Sequence, residues 1–205
     1  MKSMPTTRRY TQDARARSAE DTARRIVEAF LARLMAQWYD EITLDRVAED
    51  AGVTVQTVVR RFGGKEGLLA KSVGTLSAQI NAQRATPPGD IPGAVRNLVA
   101  DYERTGDAVI RLLALEPRHP AIKETLEFGR GEHRRWVSEA FANELGTLDA
   151  DARERALDAL VVATDVYAWK LLRRDMGRSR DATAATVESM IRSLLADLSV
   201  FQTLE

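Results

Sequence analysis

The 205-residue chain has no cysteine. That absence removes disulfides, thiolate zinc sites and thiol nucleophiles at once, and makes a reducing cytoplasm the expected compartment. No uncharged apolar run approaches the ~18–20 residues that a membrane span requires. The first residues, Met1 to Tyr10, show no apolar core of a secretion signal. The expectation is a protein that stays inside the cell and off the membrane. Histidine is scarce, with only His119 and His133, and neither has a nucleophile or triad partner near it in sequence. Net charge is lacking too, because 30 Lys and Arg balance 30 Asp and Glu.

The balance is uneven along the chain. Residues 1–71 carry 13 basic and 10 acidic residues and the remainder 17 and 20, giving a head of +3 on a body of −3. The N-terminal arm sharpens this, since Lys2, Arg8, Arg9, Arg15 and Arg17 are offset only by Asp13. The six prolines fall in three places, Pro5, Pro87 to Pro92 and Pro117 to Pro120, and the long proline-free stretches between them favour helices. From Val187 to Phe201, apolar residues recur at spacings of three and four, the stripe of an amphipathic helix. From Ala156 to Leu172 they surround the whole helix, which is expected to be covered on nearly every side. Segments 93–104 and 106–115 read as two short helices. A further helix is expected over about 120–145, interrupted near Gly129 and Gly131.

Val53 to Val59 (VTVQTVV) alternates and is β-branched, as a strand would be, yet no second alternating run exists to pair with it. The flanking residues give a different reading. Thr43 to Ala51 (TLDRVAEDA) has a hydroxyl cap and places Leu44, Val47, Ala48 and Ala51 on one face of a short helix. Gly52 supplies a left-handed turn, and Thr54 caps a second short helix ending at Phe62. Helix, glycine turn and helix form a helix-turn-helix. In its second helix Val58 and Phe62 face the core, which leaves Val55, Gln56, Thr57, Val59, Arg60 and Arg61 for a DNA groove.

Those residues, followed by Gly64 to Leu69 (GKEGLL) opening the next helix, resemble the TetR family of transcriptional repressors. Trp169 to Gly177 is similar to the end of that family's eighth helix. The motif-level likeness covers residues 20–72. It departs from the family at Val59, where an aromatic, usually Tyr, is common, and at Trp38, where Gly is common. The resemblance implies an all-α protein of about nine helices. Residues 1–64 would form a three-helix DNA-binding domain and residues 65–205 a helical domain for ligand binding and dimerisation. Its partners would be a double-stranded DNA operator, a small-molecule effector and a second copy of the chain.

Chemistry and resemblance agree on several positions. Gln56 and Thr57 suit base edges, Gln especially adenine. Thr43, Arg46, Thr54, Arg60, Arg61 and Lys65 suit phosphates, Lys65 at a helix N-terminus. The methyls of Val59 suit a thymine methyl. In the body Tyr102, His119, Phe128, His133, Trp136, Asp165, Tyr167 and Trp169 supply aromatic walls and polar handles for a ligand. Asp165, in an all-round apolar helix, would be costly without a partner. No cofactor or metal is expected. The competing class is a helical enzyme or carrier using the body pocket. Gly63-Gly64-Lys65 lacks the upstream glycine and following hydroxyl of a phosphate loop, and Glu116 and His119 enclose Pro117, which breaks a helical ligand pair. The helix over 65–84 is expected to act as a pendulum, with Gly67 and Gly74 as weak points.

Overall fold

The computed structural model describes residues 6–201, with side chains from Arg17 onward. The described residues are helical with no strand, in ten α-helical segments, or nine if the two parted at Asp165 are taken as one interrupted helix. They divide into two compact units, parted inside one helix between Gly74 and Thr75. No described helix is long and apolar enough to cross a membrane.

The first unit forms around α1 (Thr6–Ala36). Ile26, Phe30 and Leu34 recur every fourth residue, so they share a face, and with Val27 all four are buried. Burying Phe30 alone contributes ~1.5–3 kcal/mol. Against this face lies α2 (Leu44–Ala51), burying Val47, Ala48 and Ala51, and α3 (Val55–Phe62) packs on α2 and buries Val58. The start of α4 (Lys65–Arg84) adds Leu68 and Leu69. The side chain of Arg25 donates to the Ala51 carbonyl at 2.6 Å, satisfying an end of α2 that has no intrahelical partner, and Arg33 pairs with Asp50 at 2.6 Å.

The second unit is layered from α5 (Ile91–Leu115), α6 (Pro120–Ala140), α7 (Ala142–Leu145), α8 (Ala150–Thr164), α9 (Val166–Lys170) and α10 (Arg180–Ala196). Its core joins Leu98, Val99 and Tyr102 of α5, Trp136 and Val137 of α6, Leu160 of α8, Trp169 of α9, and Val187 and Ile191 of α10.

Three helix expectations need correction. The two short helices at 93–104 and 106–115 are one helix, α5. Gly106 does not end it but admits the Trp169 ring, which a Cβ would meet at 2.4 Å. Likewise α6 runs unbroken through Gly129 and Gly131, and the break comes at Phe141. The stretch 156–172 is neither one helix nor covered all round. Asp165 adopts an extended backbone (φ −70°, ψ 155°), separating α8 from α9, and Val162 and Leu171 stand 69% and 53% exposed. A π turn, Leu171–Asp175, follows α9, and Arg173 and Arg174 pin it to α5 through Glu103 and Asp107.

Candidate DNA-reading face and body cluster

The segment that alternates like a strand is a turn and a helix. Gly52 is left-handed (φ 62°), its N–H returning to the carbonyls of Ala48 and Glu49, and the Thr54 side chain accepts from the Thr57 N–H at 3.2 Å. Thr43 caps α2 in the same way through the Arg46 N–H at 3.4 Å. Both threonines are exposed, so capping leaves them at the surface. Gln56, Arg60 and Arg61 are exposed, Val59 is 44% exposed, Arg46 is exposed on α2, and Val55 is half-buried. The hydroxyl of Thr57 lies 3.0 Å from that of Thr54, which ties it to the cap.

Lys65 is engaged more closely than its place at a helix start suggests. Its Nζ stands 4.1 Å over the ring of Tyr39, a cation–π contact. Burial lowers the Lys65 pKa, opposed by the nearby Asp40 carboxylate, while burial pushes the Tyr39 phenol up to about 12. Trp38 takes an ordinary extended backbone (φ −69°) ahead of a short turn and needs no glycine. Gly67 is no weak point, because a Cβ there would meet the Phe62 carbonyl oxygen at 1.9 Å. It lets α4 start tightly against the end of α3, whereas Gly74 has open space around it. Of the arm, Lys2 and the side chains of Arg8, Arg9 and Arg15 lie outside the described residues.

In the body, Tyr102, His133 and Trp136 come together around a residue that no sequence pattern marks, Arg84, the last of α4, and Trp169 packs on Tyr102. Its guanidinium donates to the Asp101 carboxylate from Nε (3.0 Å) and Nη2 (2.5 Å), and from Nη1 to Nδ1 of His133 (3.3 Å). Its carbon lies 4.9 Å from the Tyr102 ring centre and 5.3 Å from that of Trp136. Arg84 and Asp101 are only 6% and 2% exposed. His133 Nε2 meets the Thr164 hydroxyl at 3.0 Å, and that hydroxyl reaches the Leu160 carbonyl at 2.7 Å. The Tyr102 hydroxyl donates to the Thr164 carbonyl, which the break at Asp165 leaves at the end of α8. Trp169 lies 6.0 Å from Tyr102 by ring centres and donates to Glu103.

Asp165 resolves its cost by ending one helix and capping the next, accepting the Tyr167 N–H at 2.8 Å. Tyr167 and Phe128 stand 58% and 48% exposed, and His119 heads α6, its carbonyl accepting from Ile122 and Lys123. The buried acid that the fold does have to partner is Asp101. Its signal was legible, since it lies three residues after Leu98 and four before Thr105 on the inward face of α5. Among the described residues no group of three His, Asp or Glu side chains is placed to hold a metal.

Burial and the positive Arg84 push the His133 pKa down from 6.5 to about 3. The folded state keeps the imidazole neutral while the unfolded chain takes up a proton below about pH 6.5. This stabilising contribution is whole above pH 6.5 and lost as the pH falls from 6.5 toward 3. Stability should therefore drop in that window by up to ~1.4 kcal/mol per pH unit from this group. Urea titrations at stepped pH check it, with His133→Asn expected to flatten the slope.

A short capped helix that is polar near its start, basic at its end and anchored by one fully buried valine has the form of a recognition helix. The class is therefore a helix-turn-helix DNA-binding protein. Residues 31–71 match the family model described as bacterial regulatory proteins, tetR family. Over those residues the chain carries a helix-turn-helix domain of the tetR type. No curated protein matches it in sequence. Among solved structures it is similar to a transcriptional regulator from Rhodococcus sp. Rha1 (TM-score 0.68, 16% identity, 85% of this chain and 96% of that one). A proposed transcriptional regulator from Pseudomonas aeruginosa PAO1 gives a TM-score of 0.67 at 19% identity, over 87% and 93% of the two chains. A TetR transcription regulator from Haloarcula marismortui ATCC 43049 gives 0.60 at 16% identity, over 86% and 97%. At these identities the likeness speaks to the fold.

Proposed function

We propose that the protein is a cytoplasmic, homodimeric repressor released from its operator by a small molecule. Residues 1–64 bind DNA, and residues 65–205 dimerise and sense the ligand. The observation that carries this reading is α4, which begins tight against the recognition helix at Gly67 and ends at a side chain buried in the body's aromatic cluster. In a dimer, two recognition helices engage one operator only when held about one DNA turn, ~34–36 Å, or a multiple of it apart. A ligand that shifts the end of α4 alters that spacing without touching DNA. In the head, Gln56 and Thr57 read bases, Val59 offers methyl contact, and Thr43, Arg46, Thr54, Arg60, Arg61 and Lys65 hold phosphates.

The dimer surface consists of α8 and α10, where Val162 and Met190 are exposed beside the small residues Ala185, Ser189, Ser193 and Ala196 of α10. Leu194 and Leu195 pack on the body's own core and are poor probes of it. Val162→Arg with Ser189→Arg should yield a folded monomer by light scattering at micromolar concentration, with operator binding lost. A variant that stays dimeric excludes this surface. Repression is tested separately with a reporter fused to the operator. Deletion of the regulator's gene should raise expression, and a fall would make the protein an activator.

A further inference from the structure

The groups around Arg84 are those that recognise a flat organic cation. There are two aromatic faces at 4.9 and 5.3 Å from its carbon, a carboxylate 2% exposed, and an imidazole nitrogen within 3.3 Å. Trp136 is fixed in place because its Nε1 donates to the Arg84 carbonyl at 3.3 Å. The neutral His133 donates from Nε2 to Thr164, which leaves Nδ1 as an acceptor. The occupant sits at the last residue of a helix, followed by Pro87, Pro88 and Gly89, where the chain changes course without breaking a helical ladder.

We infer that this cluster is a cation-binding cage closed by Arg84 as a tethered occupant, and that the effector it takes is an organic cation with an amidinium or guanidinium head. The inference rests on the reading of the body as a sensor and supplies its ligand class. Charge balance selects the class. If Arg84 is displaced, Asp101 loses its deep partner, and only another cation restores it; a neutral or anionic ligand leaves a buried carboxylate short of one. The other Asp101 oxygen accepts from Arg104 at 3.1 Å, and Arg104 is 51% exposed, so the cage meets solvent through a surface side chain. Displacing Arg84 frees the end of α4, which links the cage to the heads.

Propylguanidinium is the severed arginine side chain, and N-propylurea is its uncharged analogue. In the full-length Arg84→Ala protein, ~20 mM propylguanidinium should raise the thermal midpoint by several degrees through mass action, and the urea should not. Adding Asp101→Asn should remove the response. Benzamidinium, followed by tryptophan fluorescence, should bind Arg84→Ala at least tenfold tighter than wild type, which must first expel its own arginine. Arg84→Met keeps the apolar stem and carries the same expectations if Arg84→Ala yields no folded protein. Equal responses to guanidinium and urea, or none to either, overturn the cage. Operator binding by the wild-type protein is measured alongside. Intact DNA binding with a cation-blind cage sinks this inference alone, whereas absent DNA binding sinks the regulator reading.

Discussion

Asp101→Ala should destabilise the protein by ~3–5 kcal/mol, because it leaves the Arg84 guanidinium buried with no carboxylate. For a chain of this size that lowers the thermal midpoint by about 6–20 °C. Arg84→Ala should cost less, since Asp101 keeps Arg104 at 3.1 Å, and the asymmetry distinguishes a stranded charge from a simple loss of packing. Replacing both with apolar residues, Arg84→Met with Asp101→Leu, should be nearly neutral by the same physics. Thermal denaturation of the four proteins in one buffer checks the order. Asp101→Ala and the double variant melting together would remove the buried pair from any account of the body.

The other large effect belongs to the recognition helix. Arg60 and Arg61 are exposed at its basic end, and replacing both with alanine should reduce the slope of log K against log salt by ~2 and weaken binding about equally on all sequences. Operator affinity at physiological salt should fall by one to two orders of magnitude, about fivefold or more for each phosphate left without its arginine. Gln56→Ala should behave otherwise. It should cost ~1–3 kcal/mol concentrated at one base pair and leave the salt slope unchanged. Fluorescence anisotropy with single-base operator variants at several salt concentrations separates these outcomes, and a uniform loss for Gln56→Ala would remove it from base reading.

The head was legible because its determinants are local. A hydroxyl cap, a glycine obliged to take φ 62° and a second cap decide between strand and helix for 53–59, overriding a β-branched run. The Lys65 contact with Tyr39 was not legible, because no periodicity relates residues 26 apart. In the body the principle was sound and the residue wrong. An acid on an apolar face needs a solution, and that reasoning singled out Asp165, which has a local one in a helix break. Asp101 has only the exposed Arg104 nearby in sequence and takes its buried partner, Arg84, from another helix, a pairing that exists only once α4 and α5 are packed. The division of 93–115 into two helices fails for the same reason. A glycine that ends a helix and one that admits a tryptophan look alike until the tryptophan, 63 positions away, is in place.

Selection of bound duplexes from a random pool by the full-length protein at ~0.15 M salt, where nonspecific phosphate attraction is screened, tests the central claim most directly. The account predicts one enriched site built of two inverted half-sites, centred 10–10.5 base pairs or a multiple apart, about one helical turn per step. Arg60→Ala should retain that site at lower yield, and Gln56→Ala should relax one position in each half. A pool returned with no enriched sequence, or with single half-sites at no fixed spacing, would contradict it.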